Sequence, residues 1–147
     1  IENSINELQQ ERIDDEQEPR ASGHPKSSRA RYLTRRVTLS DGMAASDLKV
    51  FLSVYKPSNA EVKVFVKYSD GEGDINSASY LEMEVKDNSD NFTSLNAYDF
   101  KDIEYSLKQE DYDVIGGNIK TFVIKVCMFG KDDEVPIVKD LRAVALD

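Results

Sequence analysis

From Arg29 to the end of the chain, apolar positions recur at every second residue, the spacing of a strand with one face buried. In "DLKVFLSVYKP" Leu48, Val50, Leu52 and Val54 share one face, while Phe51, Ser53 and Tyr55 share the other. "EVKVFVKYS" sets Val62, Val64, Val66 and Tyr68 against Glu61, Lys63, Phe65 and Lys67. "YLEMEV" turns Leu81, Met83 and Val85 inward, and "DIEYSLK" does the same with Ile103, Tyr105 and Leu107. "KTFVIKVCMF" is apolar on both faces, with Phe122, Ile124, Val126 and Met128 backed by Val123, Lys125, Cys127 and Phe129, as in a central strand covered on both sides. "PIVKDLRAVAL" closes the chain, its Pro136 suited to a strand start.

Turn signals separate these runs. "PSNA" (57–60) predicts a tight hairpin joining 48–56 to 61–69. "DGEGDINSAS" (70–79), "KDNSDNFTSLNAYDF" (86–100) and "QEDYDVIGGN" (109–118) read as polar connections, the last ending in a Gly-Gly turn. No convincing helical period follows Ser28, apart from a possible turn near 97–102. The pattern implies an all-β fold, an antiparallel sandwich or barrel, and the expectation is an antiparallel β-sandwich of jelly-roll type with seven or eight strands between about Tyr32 and Leu146. Its expected core includes Leu52, Val64, Val66, Leu81, Ile124, Val126 and Leu141.

Residues 1–28 break the pattern and form a separate N-terminal arm or linker, leaving 29–147 as the sandwich domain. Ile1, Ile5 and Leu8 have helical spacing, so the arm is extended or briefly helical up to about Ile13. Its apolar stripe is too narrow to fold alone. The expectation is that Ile1, Ile5 and Leu8 make assembly contacts, ordering only against another subunit or another part of the parent protein. The first residue is Ile rather than Met, which reads as a fragment, a processed product or the ordered part of a longer chain.

Charge narrows the partners. The chain carries net charge −9, which disfavours nucleic acid and anionic membrane surfaces. Yet "RARYLTRR" places Arg29, Arg31, Arg35 and Arg36 in one short run. Read as a single strand, it puts Arg31, Leu33, Arg35, Val37 and Leu39 on one side and Tyr32, Thr34, Arg36 and Thr38 on the other. Edge strands carry such charges to block stray pairing. The arginines are therefore expected to pair with carboxylates inside the domain or across an assembly interface. Neither a signal-peptide pattern nor an apolar run long enough to span a bilayer is present, so no membrane insertion is expected.

Candidate chemistry is thin. Asp70, Glu72 and Asp74 are spaced like calcium-loop ligands, but Ile75 replaces the expected glycine and Leu81 the closing glutamate. "NFT" (91–93) fits a glycosylation acceptor, relevant only to a eukaryotic secretory protein. His24, the single histidine, lies in the arm, and the single cysteine, Cys127, reads as a buried reduced thiol. No His/Cys cluster suits a transition metal, and the many carboxylate pairs lack the apolar flanks that raise a pKa for acid catalysis. No catalytic, cofactor-binding or metal-binding residue is expected, and enzyme activity has no positive support.

Two stretches carry a family resemblance, "RARYLTRRVTLSDGMAASDLKVFLSVYKPSNAEVKVFVKYSDGE" and "IKTFVIKVCMFGKDDEVPIVKDLRAVALD". Together they resemble a domain near the C-terminal end of baseplate and tail-fibre proteins of contractile-tailed bacteriophages of the cyanophage type. The shared elements are an opening "RYLTR" at Arg31–Arg35, a "DG…A-DLKV" step at Asp41–Val50, "YKP" at Tyr55–Pro57, and a closing stretch at Val135–Leu146. Residues 70–118 are only loosely similar and 1–28 lie outside. The resemblance implies a structural module of a phage tail, assembled in host cytoplasm and located in the virion. Its partners would be other virion proteins, including copies of itself. It brings no active-site residues. A competing expectation is a carbohydrate-binding jelly roll for host-surface attachment, with a host glycan as partner. That reading needs exposed aromatic platforms, and the chain has no Trp.

Overall fold

The alternating runs pair into two antiparallel sheets that share one core. The computed structural model describes residues 30–131 and 133–147. The arm, with Ile1, Ile5, Leu8 and Arg29, lies outside the described residues. The strands are β1 (Ala30–Leu33), β2 (Val37–Thr38), β3 (Asp47–Tyr55), β4 (Glu61–Ser69), β5 (Leu81–Glu82), β6 (Glu84–Val85), β7 (Lys101–Ser106), β8 (Thr121–Phe129) and β9 (Ile137–Leu146). The first sheet runs β1-β8-β4-β5, with β2 also on β8, and the second runs β6-β7-β3-β9. This is an all-β sandwich.

Period-two patterning fills the space between the sheets. Leu48, Val50, Leu52 and Val54 of β3, Val62, Val64 and Val66 of β4, Ile103 and Tyr105 of β7, and Phe122, Ile124 and Val126 of β8 form one buried cluster. Leu81 and Leu141 pack against it half-buried, as expected near sheet edges. β8 is central, and both of its faces are buried, as its doubly apolar sequence predicts.

The seven predicted runs become nine strands among the described residues because two of them divide. "RARYLTRRVTLS" is not one strand. Leu33 pairs with Lys125, but Val37 pairs with Phe122, so the register slips by one residue across Thr34–Arg36. A one-residue slip swaps the faces. Arg31 and Leu33 therefore lie on the outer face with Cys127 and Lys125, whereas Val37 is on the core side and Leu39 packs on the core. Thr34 covers the break: its N–H donates to the Ile124 carbonyl at 2.9 Å, and its Oγ1 accepts from the Ile124 N–H at 3.0 Å. "YLEMEV" divides at Met83. β5 belongs to the first sheet and β6 to the second, and buried Met83 carries the chain between them.

Two further expectations are corrected. "PSNA" does not close a hairpin, since β3 and β4 lie in different sheets. The turn, with Asn59 at φ 60° and the Ala60 N–H bonded to the Pro57 carbonyl at 3.2 Å, sends the chain across the core. Each strand presents one apolar face, and facing across a core buries both faces as well as pairing side by side does, so alternation alone does not choose. The connection at 109–118 is also not only a turn, although little helix is present among the described residues after Ser28. Gln109–Ile115 is helical, with two 3₁₀ turns at Ile75–Ser77 and Lys86–Asn88. Glu110 and Asp111 favour the helix N-terminus, Ile115 anchors it in the core, and Gly116 at φ 59° ends it in the left-handed conformation. From β8 the chain crosses to β9 through Gly130, where a Cβ would stand 2.1 Å from the Glu134 carbonyl oxygen, so the crossing requires glycine.

Candidate functional site

The two flanks of the sandwich are built differently. On the β5/β6 flank Met83 joins the sheets covalently, and its N–H donates to the Val64 carbonyl at 2.8 Å. Ion pairs brace the outside, with Lys63 3.4 Å and Lys108 3.9 Å from the Glu82 carboxylate. The opposite flank is bounded by β1 and β9, which come from opposite ends of the domain. Among the described residues, β9 pairs only with β3, so no described strand takes its other hydrogen-bonding edge. A groove of about 460 Å³ runs between β1 and β9, with Val126, Met128, Val138 and Leu141 as its apolar lining and Tyr32, Lys139 and Asp140 also at its walls.

β9 is ten residues long, and a register shift opposite Ser53/Val54 bends it. Ile137 and Leu146 near its ends are 51 % and 38 % exposed, and Tyr32 across the groove is 56 % exposed. A long edge strand with exposed apolar side chains is a template for another strand. Two devices blunt it, the bend and the charges on Lys139, Asp140 and Arg142. The Arg142 guanidinium stacks over the Phe51 ring at 4.6 Å.

The described arginines of this run, Arg31, Arg35 and Arg36, do not converge on one patch. Arg31 is half-buried on the outer face, Arg35 is exposed at the break in the strand, and Arg36 is half-buried with Nη2 donating to Asn76 Oδ1 at 3.3 Å. The slip in register separates them, and no alternation rule reveals that slip.

A second depression, of about 610 Å³, lies beside the acidic loop and includes Ser69, Asp70, Asp74 and Asp111. Two of its carboxylates, Asp70 and Asp74, are turned to the loop itself. Asp70 Oδ1 accepts from the Glu72 and Gly73 N–H groups at 2.9 and 3.3 Å, which holds its carboxyl below the ordinary value, and Asp74 Oδ1 accepts from the Asn76 N–H at 3.0 Å. Ser69 Oγ donates to the Gly73 carbonyl at 2.8 Å. Among the described residues no group of three or more His, Cys, Asp or Glu is placed to hold a metal ion, and no helix is long and apolar enough to cross a membrane.

The reading of the sequence missed the open flank, because its walls are distant along the chain. It also missed the burial of Lys67, which is 2 % exposed, whereas Lys125, equally buried, lies on a face that the doubly apolar run marks as covered. The available signal was the apolar company Lys67 keeps on that face, Phe65, Val123, Cys127 and Phe129. No family model, no curated protein and no solved structure matches this chain.

Proposed function

We propose that the chain is a structural module of a contractile-tailed bacteriophage tail, a baseplate or tail-fibre component, that holds a neighbouring virion protein along its open flank. The observation that carries this reading is the edge of β9 that no other described strand pairs, beside the apolar groove. A strand added there gains main-chain hydrogen bonds from the edge and side-chain burial from Met128, Val138 and Leu141, the recurring means by which β-domains capture extended segments. The phage resemblance supports the same surface, since its first and last motifs, Arg31–Arg35 and Val135–Leu146, supply β1 and β9.

Sequencing the DNA on either side of the coding region tests the class. Flanking tail genes are expected. A neighbourhood of carbohydrate-active enzymes, together with saturable glycan-array binding lost on Tyr98→Ala, would replace assembly with sugar recognition. Tyr98 is the ring to remove because it is 92 % exposed.

A further inference from the structure

The charges on β9 are self-complementary. Its register on β3 sets Asp140 opposite Ser53, Leu141 opposite Leu52 and Arg142 opposite Phe51, and skips Lys139, the extra residue at the bend. Antiparallel partners share a face, so Leu141 turns to the core with Leu52, while Asp140 and Arg142 share the outer face with Ser53 and Phe51. Both charged residues are exposed, and the stack of Arg142 on Phe51 holds the guanidinium on that outer face. Ala143 and Ala145 pair with Val50 and Leu48 on the core side, yet both are exposed, because no described strand follows β9 in the sheet. An acid and a base flanking one leucine meet their opposites in a copy of the same strand running the other way.

We propose that the β9 edge takes the β9 of a second copy of this chain, antiparallel, about a twofold axis at Leu141. The inference names the neighbour in the docking reading above and rests on its placement at this edge. A twofold axis normal to a continuous sheet keeps the faces matched and sets one residue against its own copy. Centred on Lys139, Asp140 or Arg142, β9 would oppose like charges, which is destabilising. Centred on Ala143, it would forgo every directly opposed Asp–Arg pair. Centred on Leu141, it sets Asp140 opposite Arg142 of the second copy and Arg142 opposite its Asp140, and Leu141 meets Leu141 over the apolar groove of Val126, Met128 and Val138. The extra residue at the bend ends the ladder, which covers Lys139–Ala143. So short a ladder buries far less than the roughly 800 Å² per partner of a stable interface, and exposed ion pairs set register more than affinity. The dimer is therefore weak in free solution and forms where copies are held close together, as in a tethered assembly. The charges that blunt the edge against other strands select one partner.

Charge exchange tests the register. Sedimentation of the full chain from about 10 µM to about 1 mM should show a weight-average mass rising toward twice the monomer's. Asp140→Arg and Arg142→Asp should each stay monomeric over that range, since each sets like charges opposite one another. Mixed in equal amounts, the two variants should associate at least about tenfold more tightly than either alone, because every Arg then meets an Asp. The double exchange Asp140→Arg, Arg142→Asp should restore self-association. Association of the mixture also shows that both variants are folded. A wild-type chain that is monomeric at the highest concentration overturns the proposal, as does association that neither single variant weakens or a mixture that stays monomeric. The tail reading fails separately. A monomeric chain encoded among tail genes loses the second copy and keeps the virion neighbour, whereas the expected charge dependence in a chain encoded elsewhere keeps the dimer and loses the tail.

Discussion

The Tyr105 hydroxyl on β7 donates a 2.8 Å hydrogen bond to the Val62 carbonyl on β4, so one side chain spans the core from one sheet to the other. Tyr105 is 1 % exposed, and burial raises its phenol far above the ordinary 10.0. The neutral phenol is favoured in the folded state. Its contribution is therefore complete below about pH 10 and lost as pH rises beyond it. Tyr105→Phe keeps the ring and removes the bond, at a cost of about 1 kcal/mol. A fall of roughly 3–6 °C in Tm is expected for a domain of this size, measured by thermal denaturation at pH 7. In an alkaline absorbance titration, one tyrosine should ionise only together with unfolding. A wild-type titration in which every tyrosine ionises while the fold persists would refute this.

Val126 lies at the centre of β8, 1 % exposed and opposite Val64. Val126→Asp places a carboxylate in the apolar layer. Loss of the cooperative thermal transition and of the β-type circular dichroism is expected. A folded variant with near-native Tm would mean that Val126 is not in the core.

The acidic loop gives a pH signature. Two main-chain N–H groups hold the Asp70 carboxylate below its ordinary value of 3.8. A depressed carboxylate contributes above its unfolded value, and the contribution disappears as pH falls through the folded one. A carbon-detected NMR titration should give Asp70 a midpoint below 3.8. Asp70→Ala should speed amide exchange at Glu72 and Gly73 while leaving β8 amides protected. A midpoint at or above the ordinary value would show that the turn does not form.

The arginine segment should not bind nucleic acid. Net charge −9 repels a polyanion out to the screening length, about 8 Å at physiological salt, and the broken strand does not align its arginines. No mobility shift of duplex or single-stranded DNA is expected at micromolar protein near physiological salt. Tight binding that weakens with Arg35→Glu and with added salt would reverse the assignment.

The candidate site was only partly legible in the sequence. The charge of "RARYLTRR" and the edge character of that opening strand could be read from the residues. The groove could not, since Tyr32 and Leu141 meet only after β8 and β3 bring their edges together. The slip at Thr34 was also hidden, because a bulge adds a residue without breaking either flanking pattern.

Alternation, a local property, determined most of what is strand here and which side of each strand faces the core. Leu48 to Val54, Val62 to Val66 and Ile103 to Tyr105 point inward because a pleated backbone sends successive side chains to opposite faces. Tertiary structure decided the rest. "PSNA" carries the chain between sheets because main-chain pairing is settled by whichever strand supplies the other edge, and β4 found β8 and β5 while β3 found β7 and β9. Lys67, spaced like an ordinary solvent-facing lysine, is buried because exposure depends on what packs against a face, and that is a property of the folded chain as a whole.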